Sequence, residues 1–377
     1  MLGFGEFLLG LVFGGTKMNH IKIKKVMTEY GYEENYWCID GKEITNYLDK
    51  CIIENDDEFL KDLKSFNGLC PAWSKELNFK GDIRFVWELI HREKTTILPI
   101  LLCPEDLDFS CIVIVVEVEK TKDFVYWNRI GYVIHKNEDF EEEKRSGILC
   151  LEAYTDEDWE EYGDNIALES VTSNLWSEWI SKNWEEELYR RRINYTLPYY
   201  ETEGNVCWFK ELNWCFAREE YEDMIQEFWE RTTLERMQNI LKQDNKTKLN
   251  VTECAELISE LTLDGRALLH KHMKDYGEIL LHLFAADMIA ESLIRLLSKD
   301  CKDTLMIECY IMLIEIMYKN GDEAVYNVVD VTILERLSDD DMVWQRFGNL
   351  ISLEFKNYIN QEVLTTNLMM CGVKTLE

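Results

Sequence analysis

Residues 95–133 read TTILPILLCPEDLDFSCIVIVVEVEKTKDFVYWNRIGYV. β-Branched and aromatic residues crowd this stretch, a composition that suits a pleated, half-buried surface. It breaks at Glu105-Asp106-Leu107-Asp108 and again at residues 120–123, which leaves three strands at 95–104, 110–119 and 124–133. The run from Ile112 to Val116 has no polar break, so that strand is expected to be covered on both faces. Each aliphatic side chain fully buried there contributes about 1.5–3 kcal/mol. Residues 148–153 predict a further strand of the same central sheet.

Outward toward the N-terminus, residues 18–25 are basic and amphipathic, 30–39 are aromatic-rich, and Asp40-Gly41 is a turn signal. Residues 45–53 and 57–66 have helical patterning, with Asp56 or Asp57 as the N-cap of the second. Residues 71–79 form a loop carrying Trp73, and 83–91 form a strand or short helix feeding the sheet. Outward toward the C-terminus, Trp176, Ile180, Trp184 and Leu188 recur at helical spacing in 175–192. Residues 208–214 are aromatic, and 218–241 read as one long helix.

The tract 244–248 is the best linker. All four prolines precede it, and Trp344 is the only tryptophan beyond it. About 130 proline-free residues with helical periodicity read as all-α, with helices at 252–262, 264–273, 276–297, 302–320, 322–330, 333–337 and 343–358. The fold class is therefore α+β. Residues 18–243 form a mixed α/β domain around a mainly antiparallel sheet, and 249–377 form an all-α helical domain. Residues 1–17 read as a non-native leader: Gly14-Gly15-Thr16-Lys17 stands directly before Met18, and glycine codons there can spell a ribosome-binding site. A native intact mass that includes Met1 would refute this.

The chain carries 41 basic against 72 acidic residues, a net charge of −31. Such a surface repels nucleic acid and anionic membranes, and it attracts and steers a basic protein. The twelve cysteines are scattered without a CxxC pair. With no secretion signal this points to free thiols in a reducing cytoplasm.

No catalytic signature stands in the chain. Lys120 follows Glu119 directly and lies three residues from Glu117, so strand alternation separates it from both, unlike a nuclease (D/E)-x-K pair. His270 and His272 are two apart and do not share a helix face, so no metal site and no cofactor is expected from them. His91, His135, Cys103 and Cys111 lie in or beside the sheet without a nucleophile elbow. There is no GxxxxGK[ST] and no GxGxxG. Arg190-Arg191-Arg192 follows Glu185-Glu186-Glu187 on one helix, where spacings of three to five allow intrahelical pairing. The better candidates are acidic-aromatic segments, in which carboxylates mimic a phosphate backbone and rings offer anchors. Their partner-binding residues are Glu141, Glu142, Asp156, Asp158, Trp159, Glu160, Glu161, Glu219, Glu220, Glu222 and Asp223.

The runs at 97–115 (ILPILLCPEDLDFSCIVIV), 147–152 (GILCLE) and 187–192 (ELYRRR) resemble uncharacterised proteins found beside polymorphic toxin genes in Gram-positive bacteria. There the neighbour acts as an immunity protein. The helical tract, with Leu280-Leu281-His282-Leu283-Phe284 and Asp287, resembles a separate domain of unknown function from similar loci. The resemblance implies a cytoplasmic, non-enzymatic inhibitor that binds a cognate toxin, and the acidic balance suggests that the toxin is basic. Two other readings remain open, a regulatory or anti-phage scaffold and an enzyme with an unrecognised site.

Overall fold

The computed structural model describes residues 18–54, 56–134, 153–156, 174–242, 248–298, 304–365, 367–370 and 372–376. The fold is α+β, with strands in the N-terminal part and helices throughout the C-terminal part. The chain divides into two compact units, Met1–Phe228 and Trp229–Glu377.

In the first unit, β1 (Ile21–Met27) and β2 (Glu33–Ile39) pair antiparallel, and β3 (Lys42–Glu43) completes a three-stranded sheet. Asp40 and Gly41 both take positive φ, at 49° and 79°, which is the twist a two-residue hairpin turn needs. Helices α1 (Ile44–Glu54) and α2 (Glu58–Leu63) follow. Asp57 is the cap of α2 and accepts from Leu60 N at 3.1 Å.

The second sheet has the order β4-β5-β6-β7-β8 and is antiparallel throughout. Its strands are β4 (Cys70–Pro71), β5 (Thr96–Leu102), β6 (Val113–Lys120), β7 (Phe124–Val133) and β8 (Val206–Ala217). All seven residues of β5 and the first four of β6 are buried, as the unbroken apolar run predicts. Pro99 has no N–H for the ladder, and the β5–β6 register shifts beside it. Pro99 O is instead used by Trp73 Nε1 at 3.1 Å. Trp73, Trp37, Trp127 and Phe228 form the centre of this core. Trp37 meets Trp73 edge-on at 4.8 Å between centroids and stacks on Phe228 at 5.4 Å.

Several elements differ from the sequence reading. β8 is a twelve-residue strand, although only its aromatic content stood out. Asn213 has φ 51°, and the β7–β8 register shifts twice, so the alternation that marks a strand is broken. The segment at 83–91, read as a strand or a short helix, belongs to a helix, α3 (Lys80–His91). The helix expected over 175–192 is two helices, α4 (Asn174–Lys182) and α5 (Trp184–Arg191), which runs into a π-helical turn at Arg192–Thr196. Of the strand expected at 148–153, only Ala153 is described, and it lies in a short 3₁₀ turn. The leader, 1–17, lies outside the described residues.

After α6 (Leu197–Glu201) and β8, helix α7 (Arg218–Lys242) crosses the division between the units. That division falls well ahead of the 244–248 tract expected as a linker; residues 243–247 lie outside the described residues. The physical reason is burial within each unit. Tyr221, Met224 and Phe228 are core residues of the first. Met237 belongs to the helical core of the second, with Leu234, Ile240 and Leu241 packed against it.

Among the described residues, the elements of the second unit are all helices apart from an isolated bridge between Leu249 and Gly321. Its helices are set by caps. Asn250 accepts from Thr252 N and Glu253 N, and Glu253 returns the bond to Asn250 N, a full capping box for Val251–Ser259. Gly277, left-handed at φ 75°, ends Gly265–Tyr276, so the expected helix 276–297 begins only at Leu281. Ser352 caps Leu353–Leu364 and splits the expected helix 343–358 in two. Phe284, Leu313, Ile314, Phe347 and Phe355 lie in one buried cluster.

Candidate functional site

At the start of α7 the chain turns directly from strand to helix, and four of the candidate acids sit in its first turns. Carboxylates are favourable there, beside the positive end of the helix dipole. Glu219, Glu222 and Asp223 are exposed. Glu220 is tied inward: it accepts from Ile21 N at 3.2 Å and faces His20 Nδ1 at 3.2 Å. Arg218 donates to Glu222 at 2.5 Å and to Glu93 at 2.6 Å, and this cation holds the Glu93 carboxyl below its usual range. Glu219 and Asp223, four residues apart on one helix face, are the outward pair. Asp156 is exposed. Glu141, Glu142, Asp158, Trp159, Glu160 and Glu161 lie outside the described residues. The rings of the α7 segment are not anchors in waiting, since Tyr221, Phe228 and Trp229 are all buried.

Charge is also buried between α3 and α5. Gly81 brings the helices together: a Cβ there would stand 2.5 Å from Glu185 O, and Gly81 N donates to the Glu185 carboxylate at 2.7 Å. Arg192 Nε donates to Asp82 at 2.7 Å, and Arg191 Nε donates to Glu187 at 2.8 Å. Arg190 lies 3.6 Å from Glu186, which also binds Arg84 at 2.7 Å. Tyr154 donates its hydroxyl to Glu187, and burial beside that carboxylate raises its pKa. Asp82 and Glu187 are fully buried, as are all three arginines nearly so. Arg190 and Arg191 pair within their helix, as expected. Arg192 instead reaches across to Asp82, which nothing in the local sequence marked.

The nuclease-like acids do not converge. Glu117 pairs with Arg129 at 2.8 Å, and Lys120 donates to Ile90 O at 2.5 Å. In the loop after β5, the ligand atoms of Cys103, Asp106 and Cys111 lie within 4.8 Å of one another. Burial, with the Cys103 thiol beside it, pushes the Cys111 thiol up to about 12, so at neutral pH it is a poor nucleophile.

In the helical unit, the imidazoles of His272 and His282 serve as local partners. His272 Nε2 accepts from Leu280 N at 3.1 Å, and His282 Nδ1 lies 2.6 Å from Thr332 Oγ1. A more unusual group is Asp330, in a π-helical turn at Val329–Leu334. It accepts from the Tyr358 hydroxyl at 3.0 Å, and burial raises its carboxyl to about 6. Tyr326, which bonds Tyr358, also lines an open cleft of about 450 Å³ with Lys248, Asp322 and Glu354.

Residues 266–365 match a family described as a domain of unknown function, DUF7674. The match lies within the helical unit. No curated protein and no solved structure matches the chain. Among the described residues, no helix is long and apolar enough to cross a membrane.

Proposed function

We propose that this chain is an interaction protein that binds and neutralises a basic partner, a cognate bacterial toxin in the cytoplasm, through its surplus of carboxylates. The observation that carries this reading is where the cations are. Arg84, Arg129, Arg218 and Arg336 each form an ion pair with a carboxylate of the same chain. The three consecutive arginines are buried, Arg191 and Arg192 against carboxylates that are themselves fully buried. Cations engaged internally leave the field of a −31 chain to its unpaired acids, and such a field steers a basic protein. Glu219, Asp223 and Asp156 are the exposed, described residues to which partner binding is assigned. Glu141, Glu142, Asp158, Trp159, Glu160 and Glu161 are the other sequence candidates for partner binding and lie outside the described residues. Glu220, held by Ile21 N, and Glu222, paired with Arg218, complete the candidate acids of the α7 start. The resemblance to immunity proteins agrees with a binder that needs no catalytic residue.

The test is co-expression and co-purification with the product of the neighbouring gene. A stable complex that restores growth against that product, and weakens as salt rises, is the expected result. Failure to rescue growth against every neighbouring toxin overturns the proposal.

A further inference from the structure

We propose that Cys103, Asp106 and Cys111 form a binding site for a thiophilic divalent cation of the zinc type. Nothing in the binding reading above requires this site, and it stands on separate residues. The two thiols and the carboxylate come from one loop, and their ligand atoms already lie within 4.8 Å of one another. Around a tetrahedral zinc ion, with metal–ligand distances of about 2.3 Å for sulfur and about 2.0–2.2 Å for oxygen, ligand atoms stand roughly 3.5–3.8 Å apart. Small side-chain rotations therefore suffice to close the site.

The loop is shaped in advance. Cys103 N donates to Ile112 O at 3.1 Å, which fixes the two cysteine-bearing ends side by side. Leu107 N returns to Cys103 O at 3.1 Å, and Leu107 takes φ 49°, so the chain folds Asp106 back over Cys103. Asn78 grips the turn twice, with its side chain on Asp106 O and its N–H on Leu107 O at 3.0 Å. Buried Asp108 accepts from Ser110 N at 2.8 Å and Ser110 Oγ at 2.5 Å, which sets the approach to Cys111. These bonds use the backbone and Asp108, and leave the Asp106 carboxylate out of the scaffold. Two sulfurs and an oxygen are a donor set that favours zinc over magnesium or calcium, which take oxygen ligands. Among the described residues no fourth Cys, His, Asp or Glu joins the three. The remaining position falls to water or to a donor from a bound protein.

The test uses the full chain, prepared metal-free, titrated with cobalt(II) and then zinc. One equivalent of cobalt should give a thiolate-to-metal charge-transfer band that zinc abolishes. C111A should lose at least half of the band's intensity and weaken zinc binding by more than about 100-fold, beyond the 10–100-fold typical of outer-shell losses. Cys111 is only half-buried, and circular dichroism checks that C111A still folds. D106N should keep the band and weaken binding, and C38S, at another half-buried thiol, should change neither. No stoichiometric binding, a band undiminished in C111A, or a Cys103–Cys111 disulfide formed in the presence of zinc would each overturn the site.

Discussion

Asp82 shows what a single buried charge does here. It is fully buried and faces Arg192 at 2.7 Å. Removing one partner of such a pair strands the other charge, at about 3–5 kcal/mol. D82N should therefore lower the unfolding midpoint strongly. D82L/R192M, which removes both charges, should recover much of the loss, as chemical denaturation can show. Asp330 offers a second residue-scale test. Its folded carboxyl stands near 6, above the ordinary value, so the native state holds the proton more tightly than the unfolded chain does. Stability from this group is present below about pH 4 and is lost as pH rises through about 6. D330N should remove that slope and be more stable at neutral pH by about 1 kcal/mol, a figure reduced for partial exposure. Denaturation of both proteins across that window decides it; identical slopes would exclude Asp330 as their source.

Among elements, α7 carries the sharpest consequence. Its first half buries Tyr221, Met224 and Phe228 in the sheet unit, and its second half contributes Met237 to the helical core. A chain beginning at Leu249 lacks Leu234, Met237 and Ile240, each worth up to about 1.5–3 kcal/mol when buried. A chain beginning at Trp229 keeps them. The longer piece should unfold cooperatively at a clearly higher temperature. Equal stability would place the boundary in 244–248 after all. The pairing of α3 with α5 is as specific. G81A would drive a Cβ to 2.5 Å from Glu185 O, a backbone atom, and should destabilise the unit by about 1–3 kcal/mol.

For the whole molecule, the charge of −31 is the dominant fact, and the ion pairs decide how it is displayed. E219K/D223K reverses the outward pair of α7. It should slow association with a basic partner roughly tenfold at low salt and much less at high salt, because steering is screened. Stopped-flow or surface-binding kinetics at two ionic strengths reads this directly. An unchanged on-rate would move the interface away from α7.

Much of this was legible in the chain itself. The strands β5, β6 and β7, the helix from Arg218 and the all-helical character beyond it follow from apolar runs, turn residues and the absence of proline. These signals act over a few neighbouring residues, so local sequence suffices to determine them. The partner of Arg192, the strand β8 behind its bulges, the meeting of Cys103, Asp106 and Cys111, and the burial that lifts Asp330 depend on segments distant in sequence or on a backbone kink. Only the tertiary structure decides those, because burial and pairing are properties of the space a residue occupies, whereas propensity and patterning are properties of the residues beside it.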